Sequence, residues 1–150
     1  MRIVVQLVKQ ASVSVDKNVI SEIKKGYLIL LGIENEDSQE DINWLAGKIA
    51  KLRIISDNNG LMNKSILESN GDIIVVSQFT LQAQIKKGNR PSYIKADRPE
   101  IASVLYDKFI LQLENEIGKK IQTGKFGATM DVSLINEGPV TIFMDSKNKY

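Results

Sequence analysis

Four short stretches of the chain hold residue types from which a reactive site can be built. Ser77-Gln78-Phe79-Thr80 lies where the apolar run Ile73-Ile74-Val75-Val76 turns polar. Polar side chains at such a point often line a pocket, and Thr80 offers a hydroxyl as a nucleophile. Backbone N–H groups leaving the ladder there could instead hold a developing oxyanion. Ordinary strand-end polarity is the plainer reading. The loop 86–98 collects Lys86, Lys87, Arg90, Lys95 and Arg98 around Tyr93, against one acid, Asp97. Cations beside an aromatic ring suit phosphates and a stackable base at a single-stranded RNA end, and equally a solvated loop. Lys125-Phe126-Gly127-Ala128-Thr129-Met130 joins a cation, a ring and a thioether. Phe126 and Met130 fit a core, or packing against a planar base. Gly138-Pro139 interrupts a strand-like run and offers carbonyls but no reactive side chain. Local chemistry favours a tight turn between two strands there.

What is missing narrows the chemistry further. There is no histidine and no cysteine among the 150 residues. Disulfides, thiolate catalysis, Cys/His zinc sites and a Ser-His-Asp arrangement are therefore excluded. An enzyme built from this chain must move protons with a shifted carboxylate or lysine, a backbone-held oxyanion, or the substrate itself. The acids Glu34, Glu36, Asp37, Glu40 and Asp41 do not follow calcium-loop spacing and read as helix-start chemistry. No metal or cofactor is expected. A net charge of +2 confines any nucleic-acid-binding surface to a local patch.

These residues need a frame. At 43% hydrophobic and 25% charged, the chain has the composition of one soluble globular domain spanning residues 1–150. It has no run of membrane-spanning length and no signal-peptide pattern at its start, so the expected location is cytoplasmic. Alternation predicts a strand over 2–9, and Asp16-Lys17-Asn18 a hairpin between 12–15 and 19–22. A central strand is predicted over 27–33. Ser38, with Asp41 three residues on, starts an amphipathic helix over 39–52. Strands follow over 53–56 and 73–81. Residues 82–98 read as a long loop. Pro99 opens a second helix that Gly118 ends, its apolar face set by Ile101, Val104, Leu105, Phe109, Ile110, Leu113 and Ile117. Strands over 119–122, 129–136 and 140–145 close the chain, with a frayed tail at about 146–150. The fold class is α/β, sheet-rich, with mixed or antiparallel strands and two main helices.

Ser77-Gln78-Phe79-Thr80-Leu81 together with Asn136-Glu137-Gly138-Pro139-Val140-Thr141 resembles the D-aminoacyl-tRNA deacylase family. The similarity also takes in Gln10-Ala11-Ser12-Val13, Gly26 through Gly32, Met62-Asn63, Arg90-Pro91-Ser92, Leu105-Tyr106-Asp107 and Gln122-Thr123-Gly124. The resemblance implies a homodimeric hydrolase with that family's fold. It would cleave the ester joining a D-amino acid, and also glycine, to the terminal adenosine of tRNA. It implies a cis Gly138–Pro139 peptide that enters the partner subunit's site and rejects L-amino acids. Ser77, Gln78, Phe79 and Thr80 would form the receiving pocket. Phe79 and nearby N–H groups would stabilise the oxyanion, and the tRNA 2′-hydroxyl would assist water. Where many members carry Arg after the first-strand Gln, this chain has Leu7, which predicts a less firmly held Gly138–Pro139. The competing readings are a non-catalytic tRNA- or nucleic-acid-binding module on the same fold, and a hydrolase for another small ester.

Overall fold

The computed structural model describes residues 1–149. The elements run β1 (Arg2–Val15), β2 (Asn18–Ile23), β3 (Gly26–Gly32), α1 (Gln39–Lys51), β4 (Ile55–Ser56) and β5 (Met62–Lys64). They continue with α2 (Ile66–Ser69), β6 (Asp72–Ser77), a 3₁₀ turn (Phe79–Gln82), α3 (Pro99–Ile117), β7 (Gln122–Thr123) and β8 (Asp131–Asp145). The main sheet is mixed, as its pattern predicts. Its order is β2-β1-β3-β6-β7, with β8 pairing β1. The β1 ladders are antiparallel, while β3–β6 and β6–β7 are parallel.

Strand β1 organises the molecule. Along its first half Ile3, Val5 and Leu7 are buried, so alternate residues face one side. Leu7 and Val8 are then buried in succession, and the pairing with β8 shifts register between Gln6 and Val8. A bulge of this kind bends a strand and moves its side chains to the other face. Ile3, Val5 and Leu7 join the core under α1 and α3, with Leu45, Ile49, Tyr106 and Phe109. Val8, Ala11 and Val13 join a second core, with Leu28, Ile74 and Val76 on the opposite face of β3 and β6. The sheet thus curls over itself. The Ser21 hydroxyl on β2 donates to the Thr123 carbonyl on β7, which nearly closes the circuit.

The helices follow from their caps. Ser38 accepts from Glu40 N–H, and its own N–H donates to Asp41 Oδ2 at 2.8 Å, completing a capping box. Gly118, at φ +73°, ends α3. The buried stripe of α3 is Ala102, Tyr106, Phe109 and Leu113. The expected face is therefore rotated: Ile101 and Val104 are 43% and 53% exposed. Apolar side chains on both sides of this helix make its periodicity ambiguous.

Three further expectations are corrected. The strand over 73–81 stops at Ser77, because residues 79–82 tighten into the 3₁₀ turn. The strands over 129–136 and 140–145 are one strand, β8, and both halves pair with β1, so Gly138–Pro139 is not a hairpin turn. Residues 146–149 do not fray. Ser146 is buried and donates its N–H to the Met1 carbonyl at 2.9 Å. Lys147 Nζ lies 3.0 Å from Asp41 Oδ2. The Met1 ammonium lies 2.6 Å from Asp37 Oδ1 and 3.4 Å from Glu34 Oε1. Buried carboxylates need cations, and these two supply them. Tyr150, also placed in the tail, lies outside the described residues.

Candidate active site

The strands β3 and β6 run parallel, so their C-terminal ends open on the same side of the sheet. A cleft of about 660 Å³ lies there. Ser77, Gln78 and Phe79 line it, together with Phe126 and Met130 from the segment before β8. Five of the residues singled out from sequence thus line one cleft. Thr80 does not line the cleft; its hydroxyl accepts a hydrogen bond from the Gln78 side-chain amide. No histidine exists to activate that hydroxyl.

The turn carrying Phe79 is fixed from several sides. Gln78 N–H donates to Leu31 O at 2.7 Å and Leu81 N–H to Gln78 O at 3.2 Å. Gln82 is wholly buried and donates from Nε2 to Gly32 O at 3.0 Å. Arg2 Nη1 donates to Leu81 O at 3.0 Å while its Nε pairs with Asp145 at 2.9 Å. Gly32 has to be glycine on packing grounds: a Cβ there would lie 2.8 Å from Leu81 Cβ and 2.9 Å from Gln78 O. So anchored, the ladder ends at Ser77, and the N–H groups of Phe79 and Thr80 have no acceptor among the described residues. Such groups, held still at the edge of an apolar cleft, are suited to an oxyanion.

The walls are aromatic and apolar. The Phe79 ring is 58% exposed and meets Tyr93 edge-on at 5.0 Å. Phe126 packs against Tyr106, whose hydroxyl donates to Val75 O at 2.7 Å. Burial pushes the Tyr106 phenol well above its ordinary range, so it is a structural donor. From the basic loop, Tyr93, Asp97 and Arg98 reach the cleft, while Lys86, Lys87, Arg90 and Lys95 are exposed outside it. The loop is pinned by reciprocal bonds between Gln84 and Ser92 and by Asn35 N–H to Lys95 O at 2.9 Å. Leu31 in β3, Ile33 just beyond it and Ala102 on α3 also line the cleft without having stood out in sequence. Small and aliphatic residues carry no chemical signature, and only the topology brings them here.

Gly138 and Pro139 are exposed and do not line this cleft. Their peptide bond is cis. On β1, Gln6 pairs with Thr141 and Val8 with Asn136, so residues 137–140 stand out opposite Leu7 alone. The Leu7 side chain is buried in the core and holds no polar group of the bulge. Asn136 does so instead: its Nδ2 donates to Leu7 O at 2.9 Å and to Val140 O at 3.0 Å, clasping the base of the bulge. Lys25 lies 3.6 Å from Glu137.

A family model described as D-Tyr-tRNA(Tyr) deacylase matches residues 4–145, including both the Ser77 turn and the Gly138–Pro139 bulge. The chain belongs to this family. It is accordingly an enzyme, a hydrolase. Among curated relatives, the D-aminoacyl-tRNA deacylase of Flavobacterium psychrophilum is 64% identical over 149 residues, covering 99% of each chain. That of Bacteroides thetaiotaomicron is 60% identical with the same coverage. A solved structure described as c-Myc DNA Unwinding Element Binding Protein is 41% identical, with a TM-score of 0.91 over 97% of this chain and 98% of that one. Another, of a probable eukaryotic D-amino acid tRNA deacylase, shares the fold at a TM-score of 0.81 and 17% identity, covering 95% of this chain and 97% of that one.

Proposed function

We propose that this chain, a single domain, hydrolyses the ester joining a D-amino acid, or glycine, to the terminal adenosine of tRNA. The observation that carries the proposal is the pairing, in a matched family member, of an apolar cleft edged by free N–H groups with an exposed Gly-Pro bulge that does not line it. An exposed bulge outside its own cleft is suited to serving the cleft of another copy, and on this reading the working form is a homodimer. Gly138 and Pro139 enter the partner's cleft, where their carbonyls hold the substrate ammonium and crowd the space an L side chain needs. A filter made of main chain accepts any D side chain, and glycine passes because it has no side chain to reject.

In the cleft, water attacks the ester carbonyl carbon. The carbonyl oxygen takes up negative charge against the N–H groups of Phe79 and its neighbour. As the intermediate collapses, the bond to the ribose oxygen breaks, the amino acid leaves as the free acid, and the ribose oxygen takes a proton. The adjacent 2′-hydroxyl helps activate the water, whose proton passes on to the leaving ribose oxygen, so no histidine is needed. Thr80 positions the turn through Gln78. Phe126 and Met130 pack on the terminal base. Arg98, with the outer cations of the 86–98 loop, meets phosphates. Translation places such an enzyme in the cytoplasm. Membrane crossing by a helix plays no part, since no described helix is long and apolar enough to do so.

The trans arrangement is tested by mixing two inactive variants, one altered at Gly138 and one at the Ser77–Thr80 turn. Random re-pairing of subunits restores about a quarter of wild-type activity if the bulge serves the partner, because half the dimers then hold one intact site. No recovery on mixing contradicts it. The second reading, a nucleic-acid-binding module without catalysis, draws support from the name of the relative of 41% identity. It predicts tRNA binding with no ester hydrolysis.

A further inference from the structure

Away from the cleft, the later half of α1 carries a groove of about 420 Å³, lined by Trp44, Gly47, Lys48, Lys51, Leu52 and Arg53. Lys48 Nζ lies 5.8 Å from the indole centroid. Lys149, arriving from the C-terminal segment, lies 5.1 Å from the same ring. None of Lys48, Lys51, Arg53 or Lys149 forms an ion pair among the described residues. Lys48 and Lys51 complement the negative end of the helix dipole, which accounts for two of the cations. Arg53 lies beyond the helix and is held by Asn63, to whose carbonyl its Nε donates at 2.7 Å and to whose Oδ1 its Nη2 donates. Lys149 comes from another segment and is not explained by the dipole. It does not explain Gly47 either. Glycine inside a helix costs stability relative to alanine, and a Cβ at position 47 would meet nothing within 4 Å. Packing within the chain gives no reason for a bare floor, whereas a polyanion seated against it does.

We propose that this groove is a second docking site for the sugar–phosphate backbone of the substrate tRNA. Lys48, Lys51 and Lys149 meet phosphates there, Arg53 adds charge from its place against Asn63, and Trp44 packs against a ribose. Charge complementarity selects the occupant: three lysines with no ion pair or hydrogen bond among the described residues, beside the Asn63-bonded Arg53, form a local basic patch on a chain whose net charge is only +2. The inference rests on the tRNA-deacylase reading. It deepens that reading by giving the enzyme a hold on the body of the tRNA as well as its end. The groove shares no lining residue with the cleft, so the two holds are separable.

The test uses the full chain with Lys48→Glu/Lys51→Glu, and separately Gly47→Gln, which fills the floor without altering charge. Each is assayed on D-tyrosyl-tRNA and on the small ester D-tyrosyl-adenosine. The charge-reversed variant is expected to raise KM for the tRNA roughly tenfold near 0.1 M salt, and to flatten the dependence of log affinity on log salt by about one to two. Gly47→Gln is expected to raise the tRNA KM with Tm unchanged or higher. Neither variant changes hydrolysis of the small ester. Unchanged tRNA KM and salt slope in both variants overturn the proposal. If the wild type cleaves neither ester, the deacylase reading is what fails. Direct binding of unacylated tRNA then still decides the groove: weaker binding by the variants supports it, and equal binding overturns it.

Discussion

Asn136 answers the question raised by Leu7. Leucine there cannot bind the carbonyls of the bulge, but the Asn136 amide bridges Leu7 O and Val140 O. Asn136→Ala leaves two carbonyls short of a donor and is expected to cost about 1–3 kcal/mol. It also lowers the ratio of D- to L-aminoacyl-tRNA hydrolysis, which parallel time courses on the two esters would show. An unchanged ratio assigns the clasp to folding alone. Gly138 sits at φ +119°, where a Cβ would lie 2.7 Å from Val140 Cγ2. Gly138→Ala is therefore expected to displace the bulge and abolish chiral discrimination or activity, while thermal melting shows a folded protein. Thr80→Ala, losing only the contact with Gln78, reduces the single-turnover rate by about tenfold or less. A loss of many orders of magnitude, with acyl-threonine trapped in the wild type, would make Thr80 the nucleophile.

At the scale of elements, the site is a 3₁₀ turn held against the end of β3, and Gly32 is the tightest point of that contact. Gly32→Ala forces its new methyl against Leu81 Cβ and Gln78 O, an overpacking expected to cost about 1–3 kcal/mol. Activity should fall further than stability alone explains, because the N–H groups of Phe79 and Thr80 move with the turn. Equal activity per folded molecule would detach the turn from catalysis. Much of this level was legible in the sequence. The capping box at Ser38, the apolar run from Ile73 and the stop at Gly118 each have a local cause that residue types report. The end of β6 at Ser77, the rotated face of α3 and the single strand β8 do not. Each depends on what packs alongside, such as Gly32 under the turn or β1 beside both halves of β8. Alternation alone cannot show that two strand-like runs share one neighbour.

At the scale of the molecule, Met1 and Arg2 meet the segment 145–148 in a shared charge network. Burial raises Asp41, but hydrogen bonds from Ser146, Ser38 and Lys147 outweigh it and hold its carboxyl far below the ordinary range. Asp145, desolvated but bonded by Arg2, Lys147 and Asn148, is also lowered. Asp37, pushed up chiefly by burial, works in the opposite sense. For Asp41 and Asp145, depressed folded values mean stability that is present above the unfolded value of about 3.9 and is lost as pH falls through the folded ones. Tm should therefore hold near neutrality and drop below about pH 4, with the drop reduced in Asp145→Asn. An identical acid limb in that variant would place the charge linkage elsewhere. In the proposed dimer ester chemistry and chirality come together, and one comparison addresses both: D-tyrosyl-tRNA, L-tyrosyl-tRNA and glycyl-tRNA incubated side by side with the protein. The D-tyrosyl and glycyl esters should be hydrolysed while the L-tyrosyl ester persists; equal survival of all three, or equal loss of the two tyrosyl esters, would contradict a backbone filter that reads chirality.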